Sequence, residues 1–356
     1  MTDEQPLPAD LPPGAADRQI VAIRDVIVCA TGEEDHSIPL EEFYAHPPVG
    51  TDPEERFNGA VAEVDLGDGI KLGRVSDDDA ERIMDACGPA GQNFSPVRQF
   101  GQRYAFYVDH SVEEATENLY GFDADRLGVA LALSRLIRDN GFSYQYAARV
   151  IEHAATELTI TPLAATEGHV VYRLHGGREW LDGEEAEALA SLLAAYRSSE
   201  LPPRVREALW RSEYASHMAR GDIMLSTIVS GLEALLKVGR GRPENQFKQR
   251  ATALAGDLGT EGVDEALCER AYAGRSDWVH ASFEGAPTSE EERQRWVEDA
   301  AKMRDLLRGA CRKAIEDADF SAVFRNGQTI KNRWPAPAPA RRKRAVGERL
   351  RILLRG

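Results

Sequence analysis

Thiols are scarce in this chain. Its 356 residues include four cysteines, at positions 29, 87, 268 and 311, and no two stand in a Cys-x-x-Cys pair. Each lies in an apolar-patterned stretch. The pattern argues against a disulfide scaffold or a thiolate zinc site, and it predicts reduced core residues of a cytoplasmic protein. No apolar run approaches membrane-spanning length; the nearest, 127–137, carries Ser134 and Arg135. The start, Met1-Thr-Asp-Glu-Gln-Pro, lacks the basic and apolar regions of a signal peptide. Also missing are a P-loop, a Gly-x-Ser-x-Gly elbow and a metalloprotease helix, so no cofactor and no metal is expected. Cationic charge is short as well: 43 Lys and Arg stand against 59 Asp and Glu, for a net charge of −16. Repulsion from phosphate excludes a general nucleic-acid coat protein. It leaves room for an RNA enzyme with a local basic groove.

What is present is an ordinary globular composition, 42% hydrophobic and 29% charged, with apolar material enough for sizeable cores. The length predicts two domains. Residues 1–17, rich in Pro, Ala and Asp, read as a disordered leader. Region 18–200 is mixed α and β. Ile20 to Cys29 is a strand by its Val and Ile content. Phe57 to Val75 gives two short strands about Gly67-Asp68-Gly69, since Asp and Gly accept the positive φ of a tight hairpin. Ser76 caps a helix over 77–87. Arg98 to Asp109 alternates as a strand, and Asp125 to Asp139 has helical spacing ended by Asn140-Gly141. Leu158 to Ile160 and His169 to Leu174 read as strands, and Asp182 caps a helix reaching Tyr196. His169 and His175 would share a strand face, but without a third ligand they do not predict a metal site.

The character changes at Leu201-Pro202-Pro203, and from 201 to 320 the pattern is purely helical. Helices are predicted over Arg204–Ala219, with Val205, Ala208, Leu209 and Tyr214 among its apolar positions, and from Gly221, with Leu225, Ile228, Val229, Leu232, Leu235 and Leu236 as apolar residues at three-four spacing. Others follow over Gln246–Leu258, from Val263 to the Arg275 region, and from a Ser289/Glu292 capping box to Ile315. Five helices with short connections make a compact bundle. Region 321–356 reads as a linker, Trp334-Pro-Ala-Pro-Ala-Pro-Ala340, and a basic tail from Arg341. The tail is open to three readings, a nucleic-acid arm, a membrane-surface helix or a solubilising end, and its short apolar part favours the last. The fold class expected is a multidomain α+β chain, a mixed α/β domain followed by an all-α bundle.

One spacing carries chemistry. Arg275 precedes His280 by five residues, where a helical pattern gives way to polar residues and glycine. Arginine is abundant and there are 8 histidines, so the bare spacing arises readily by chance. A guanidinium that stays charged can hold phosphoryl oxygens, and an imidazole that titrates near neutrality can move a proton; together they can cleave a phosphodiester without metal. Residues five apart on an ideal helix point ~140° from each other, so the pair straddles a bend or meets at a dimer seam. The competing reading is a surface arginine and a histidine that caps the helix C-terminus. Lys237, Arg240, Arg242, Lys248 and Arg250 cluster about the second loop of the bundle as a candidate phosphate track. Tyr272 and Trp278 read as core rather than base-stacking residues.

Three segments in order resemble the HEPN superfamily (higher eukaryotes and prokaryotes nucleotide-binding), in its ApeA-like branch. They are Ser230-Gly-Leu-Glu-Ala-Leu-Leu236, Phe247-Lys-Gln-Arg250 with the run to Leu254, and Ala271-Tyr-Ala-Gly-Arg-Ser-Asp-Trp-Val-His280. The resemblance covers residues 203 to 320. Ser276 after the arginine and Ala281 after the histidine depart from the family's pattern without removing a catalytic group. The resemblance implies metal-independent RNA cleavage in a homodimer whose two motifs face each other across the dyad. Arg275 and His280 would be catalytic, with Glu233 orienting Arg275, Asp277 either polarising His280 or capping a helix, and Ser276 adding an RNA contact. It also implies a bacterial anti-phage defence or toxin-type effector, with the N-terminal domain sensing a regulatory ligand or phage trigger, or selecting substrate. A non-catalytic dimerising module and an RNA binder acting through the tail are the alternatives.

Overall fold

In a computed structural model the described residues are 20–29, 62–87, 104–111, 113, 123–141, 146–153, 158–162, 171, 174, 178, 180–218, 221–239, 242–279 and 289–335. The chain divides into two compact units, one of residues 1–199 with 216–220 and one of 200–215 with 221–356. The class is α+β.

Among its described residues the first unit has six strands: β1 (Ile20–Cys29), β2 (Glu63–Gly67), β3 (Ile70–Arg74), β4 (Tyr104–His110), β5 (Ala147–His153) and β6 (Leu158–Pro162). They form one sheet in the order β2-β3-β4-β1-β5-β6, with every neighbouring pair antiparallel. The β2–β3 turn has positive φ at Gly67, Asp68 and Gly69, the conformation its sequence predicts. Alternation along β1 sends Val26 and Val28 to one face. There they meet Ala105, Tyr107 and Ala148 and the inner residues Ala80 and Ile83 of α1 (Asp77–Cys87). Ile23, Asp25 and Ile27, all buried, take the other face. Further helices are α2 (Ala124–Ile137) and α3 (Gly183–Ser198); α2 packs on β4 and α3, and α3 packs on β2.

Local caps are where the sequence puts them. Asp79 N donates to Ser76 Oγ at 3.1 Å, and Asp182 with Glu185 forms a capping box at the start of α3. Helix α2 stops sooner than expected, with Arg138 already extended. Strand β5 was not anticipated at all. Its centre carries Arg149, which interrupts the apolar alternation, yet it lies beside β1 in mid-sheet. Expectations for 1–17, Arg98–Arg103, His169 and His175 fall outside the described residues.

The second unit holds α4 (Pro203–Ser216), α5 (Gly221–Leu236), α6 (Pro243–Leu258), α7 (Glu265–Val279) and α8 (Glu290–Glu316). Helix α5 packs against α6, α7 and α8, and α6 against α7 and α8. The six apolar residues at three-four spacing on α5 are all buried. Helix α6 begins earlier than expected because Pro243 occupies its first turn, where a missing N–H costs nothing.

Three expectations require correction here. Tyr214, counted among the apolar positions of its helix, is 46% exposed; the buried stripe of α4 runs through Val205, Ala208, Ser212 and Ala215, and Tyr214 lies off it. Helix α7 does not end near Arg275 but continues to Val279. The chain also stays ordered past Asp319, through α9 (Ala318–Val323) and α10 (Gly327–Arg333). Trp334, assigned to a linker, is buried beside Phe324 at a ring distance of 5.6 Å, and its Nε1 donates to Asp257 Oδ2 at 2.9 Å. Among the described residues no helix is long and apolar enough to cross a membrane.

Candidate functional site in the helical unit

The site begins with a close helix approach. A Cβ on Gly231 would stand 3.0 Å from Leu307 Cδ2 and 3.3 Å from Arg211 Cβ, so the absent side chain lets α5 lie tightly against α8 and α4. Two residues on, Glu233 turns toward α7. Its Oε2 lies 2.8 Å from Arg275 Nη2, with the side chains 16% and 26% exposed respectively. One turn before Arg275, the Tyr272 hydroxyl hydrogen-bonds Glu233, and the Arg275 guanidinium carbon lies 5.7 Å from the Tyr272 ring centre. Tyr272 is itself buried against Phe247 at 5.3 Å, in agreement with a core role.

Electrostatics in this cluster are set by burial. Desolvation pushes the Glu233 carboxyl above its usual range; Arg275, Tyr272 and Arg211 pull the other way without cancelling it. Burial likewise raises the Tyr272 hydroxyl, and the Glu233 charge adds to the rise. Arg275 Nε is buried with no hydrogen-bond partner among the described residues. The guanidinium is thus held in one orientation, largely withdrawn from water and paired with a carboxylate.

The other expected site residues divide clearly. Asp277 and Ser276 lie in the last turns of α7, with side chains outside the description, and His280 and Arg240 lie outside the described residues. Lys237 and Arg242 are exposed at the α5–α6 connection, both in the left-handed region at φ 51° and 57°. Lys248 instead faces α7, with Nζ 3.4 Å from Glu269 and 3.8 Å from Glu265. Arg250 leaves the phosphate track altogether. It is 3% exposed; its Nη1 donates to Leu236 O and Lys237 O at 3.0 and 2.8 Å, and its Nε to Trp334 O at 3.3 Å. The residue satisfies the last carbonyls of α5, which otherwise lack partners.

Two groups of polar or aromatic residues were not foreseen. In the first unit, Asp25 is fully buried and accepts from Arg149 Nε and Nη2 at 2.7 and 2.8 Å. Its Oδ2 also lies 2.8 Å from His110 Nε2 and accepts from Asp123 N at 2.8 Å. His110 borders a cleft of about 570 Å³ that Asp68, Asp109 and Arg126 also line. The only signal in the sequence was an aspartate within the β1 strand pattern; Arg149 lay in a stretch not read as a strand. In the second unit, Trp210 and Tyr214 stack on the surface of α4, with ring centres 5.1 Å apart and planes at 7°. Their four-residue spacing was visible in the sequence.

Compared with known proteins, the chain matches no family model, no curated protein and no solved structure.

Proposed function

We propose that the helical unit is a HEPN-type endoribonuclease that cuts RNA without a metal ion. The observation that supports this reading is the Glu233–Arg275 pair, which fixes a guanidinium between two helices with its side chain 26% exposed. In the reaction His280 accepts the proton of the ribose 2′-hydroxyl and the 2′-oxygen bonds to phosphorus. The bond from phosphorus to the 5′-oxygen breaks, and that oxygen takes up a proton. Arg275 stabilises the negative charge that builds on the phosphoryl oxygens. The products are a 2′,3′-cyclic phosphate and a 5′-hydroxyl. Lys237 and Arg242 contact flanking phosphates, with Arg240 and Ser276, and Asp277 assists His280 or caps α7.

The site is completed by a second copy of the chain, as the family resemblance implies. The first unit, with its polar cleft, then senses a regulatory ligand or selects substrate in a defence or toxin-type effector. The experiment is cleavage of a labelled RNA in excess EDTA, with end-group analysis; absence of cyclic ends overturns the chemistry.

The same ion pair favours one further reading, since Glu233 already neutralises Arg275. In that case the unit is a non-catalytic dimerising module, and the purified chain forms a stable dimer that neither cuts RNA nor slows growth when expressed.

A further inference from the structure

On α4, Arg206, Trp210 and Tyr214 follow at four-residue steps and therefore form one stripe. Trp210 is 57% and Tyr214 46% exposed, and Arg206 is exposed with no side-chain partner among the described residues. The two rings are nearly parallel, which leaves flat aromatic surface and a cation side by side in solvent. The next residue, Arg211, turns toward the site: its Cβ approaches Gly231 and its charge acts on Glu233. One helix thus borders the Glu233–Arg275 pair on one side and carries the aromatic stripe on another.

Two other occupants compare poorly. A protein partner or a second copy needs ~800 Å² on each side for a stable interface. On this stripe the two rings are the exposed large hydrophobics, too little apolar surface for a protein seated on this face alone. A duplex buries its base faces and offers mainly phosphate, which the net charge of −16 opposes. A single strand offers open base faces, and stacking is a gain that the acidic balance does not cancel.

We infer that Arg206, Trp210 and Tyr214 form a stacking platform for single-stranded RNA, which holds unpaired nucleotides next to the cleavage site. This rests on the ribonuclease reading of the helical unit. A base continues the Trp210–Tyr214 stack, and Arg206 meets the phosphate that follows. The consequence is selection for unpaired substrate.

The test uses the full chain silenced by Arg275→Ala, with fluorescence anisotropy against a labelled oligouridine and against a duplex of equal length. Trp210→Ala and Tyr214→Ala are each expected to weaken single-strand binding ~10- to 100-fold, with Trp210→Phe restoring most of it. Duplex binding is expected to stay as it was. Arg206→Gln should lower the salt dependence of binding by about one unit of slope. Unchanged single-strand affinity, or an equal loss for the duplex, overturns the platform. So does a shift from dimer to monomer in Trp210→Ala with RNA affinity intact, since the rings then serve a protein contact. The two readings fail separately: wild-type cleavage with indifferent rings sinks only the platform, whereas a wild-type chain that neither binds nor cuts RNA sinks the ribonuclease reading and the platform together.

Discussion

Glu233 and Arg275 meet at 2.8 Å across the α5–α7 contact, each largely withdrawn from solvent. The pair gives Arg275 one orientation, and it places a carboxylate where burial opposes its charge. Both consequences are measurable.

The pH dependence of folding follows from the direction of the Glu233 shift. A carboxyl raised above its unfolded value, near 4.5, favours the fold most when protonated; that contribution is lost as pH rises through the folded value. Relative to Glu233→Gln, the wild type should therefore lose stability as pH climbs from about 4 through that raised value. Urea melts of both proteins across this window test it. A difference that moves in favour of the wild type with rising pH contradicts it.

Asp25 predicts a large stability effect in the first unit. It is fully buried and paired to Arg149, so Asp25→Ala should cost ~3–5 kcal/mol by breaking a buried ion pair. The double change Asp25→Leu with Arg149→Met should cost much less than either single change. Thermal melts of all three variants settle the comparison, and a double variant as unstable as the worse single one would count against the pairing.

Arg250 and Arg242 should behave oppositely although both lie in the same basic stretch. Arg250→Ala removes the partner of the α5 carbonyls and should lower the stability by ~1–3 kcal/mol for unsatisfied buried groups. Arg242→Ala, at an exposed position, should leave stability within ~0.5 kcal/mol and weaken RNA binding. Equal effects on both readouts would remove the distinction.

Burial pushes the Cys87 and Cys268 thiols up to about 11 and the Cys311 thiol up to about 12. Little thiolate exists at pH 7, so the buried Cys268 and Cys311 should react with a thiol reagent only as the chain unfolds, and the half-buried Cys87 sooner than either. Rapid labelling of Cys268 or Cys311 in the native state, read by mass spectrometry, would show an opening that their burial does not foresee.

The parts of the fold that were legible in the sequence depend on neighbours along the chain. The Gly67-Asp68-Gly69 turn, the Ser76 and Asp182 caps and the leucine spacing of α5 are all local signals. What escaped depends on distant partners. Strand β5 looked unlike a strand because Arg149 sits in it, and its partner Asp25 lies on β1, far away in sequence. Trp334 looked like linker because the aromatic residues that bury it, Phe320 and Phe324, follow no long helical period. Arg250 looked like a phosphate contact because nothing local shows that its guanidinium turns inward to the end of α5. The Glu233–Arg275 contact was expected through the family resemblance and not from spacing. Trp210 and Tyr214 were in plain view, but the helical pattern of α4 was assigned to its buried side.

The most direct measurement is cleavage of single-stranded RNA in excess EDTA by the wild type, Arg275→Ala and His280→Ala, with the ends of the products identified. The ribonuclease reading predicts 2′,3′-cyclic phosphate ends from the wild type and a loss of ~10²–10⁴ in rate for the His280 variant, with a comparable loss for Arg275→Ala. Undiminished cleavage by either variant contradicts it.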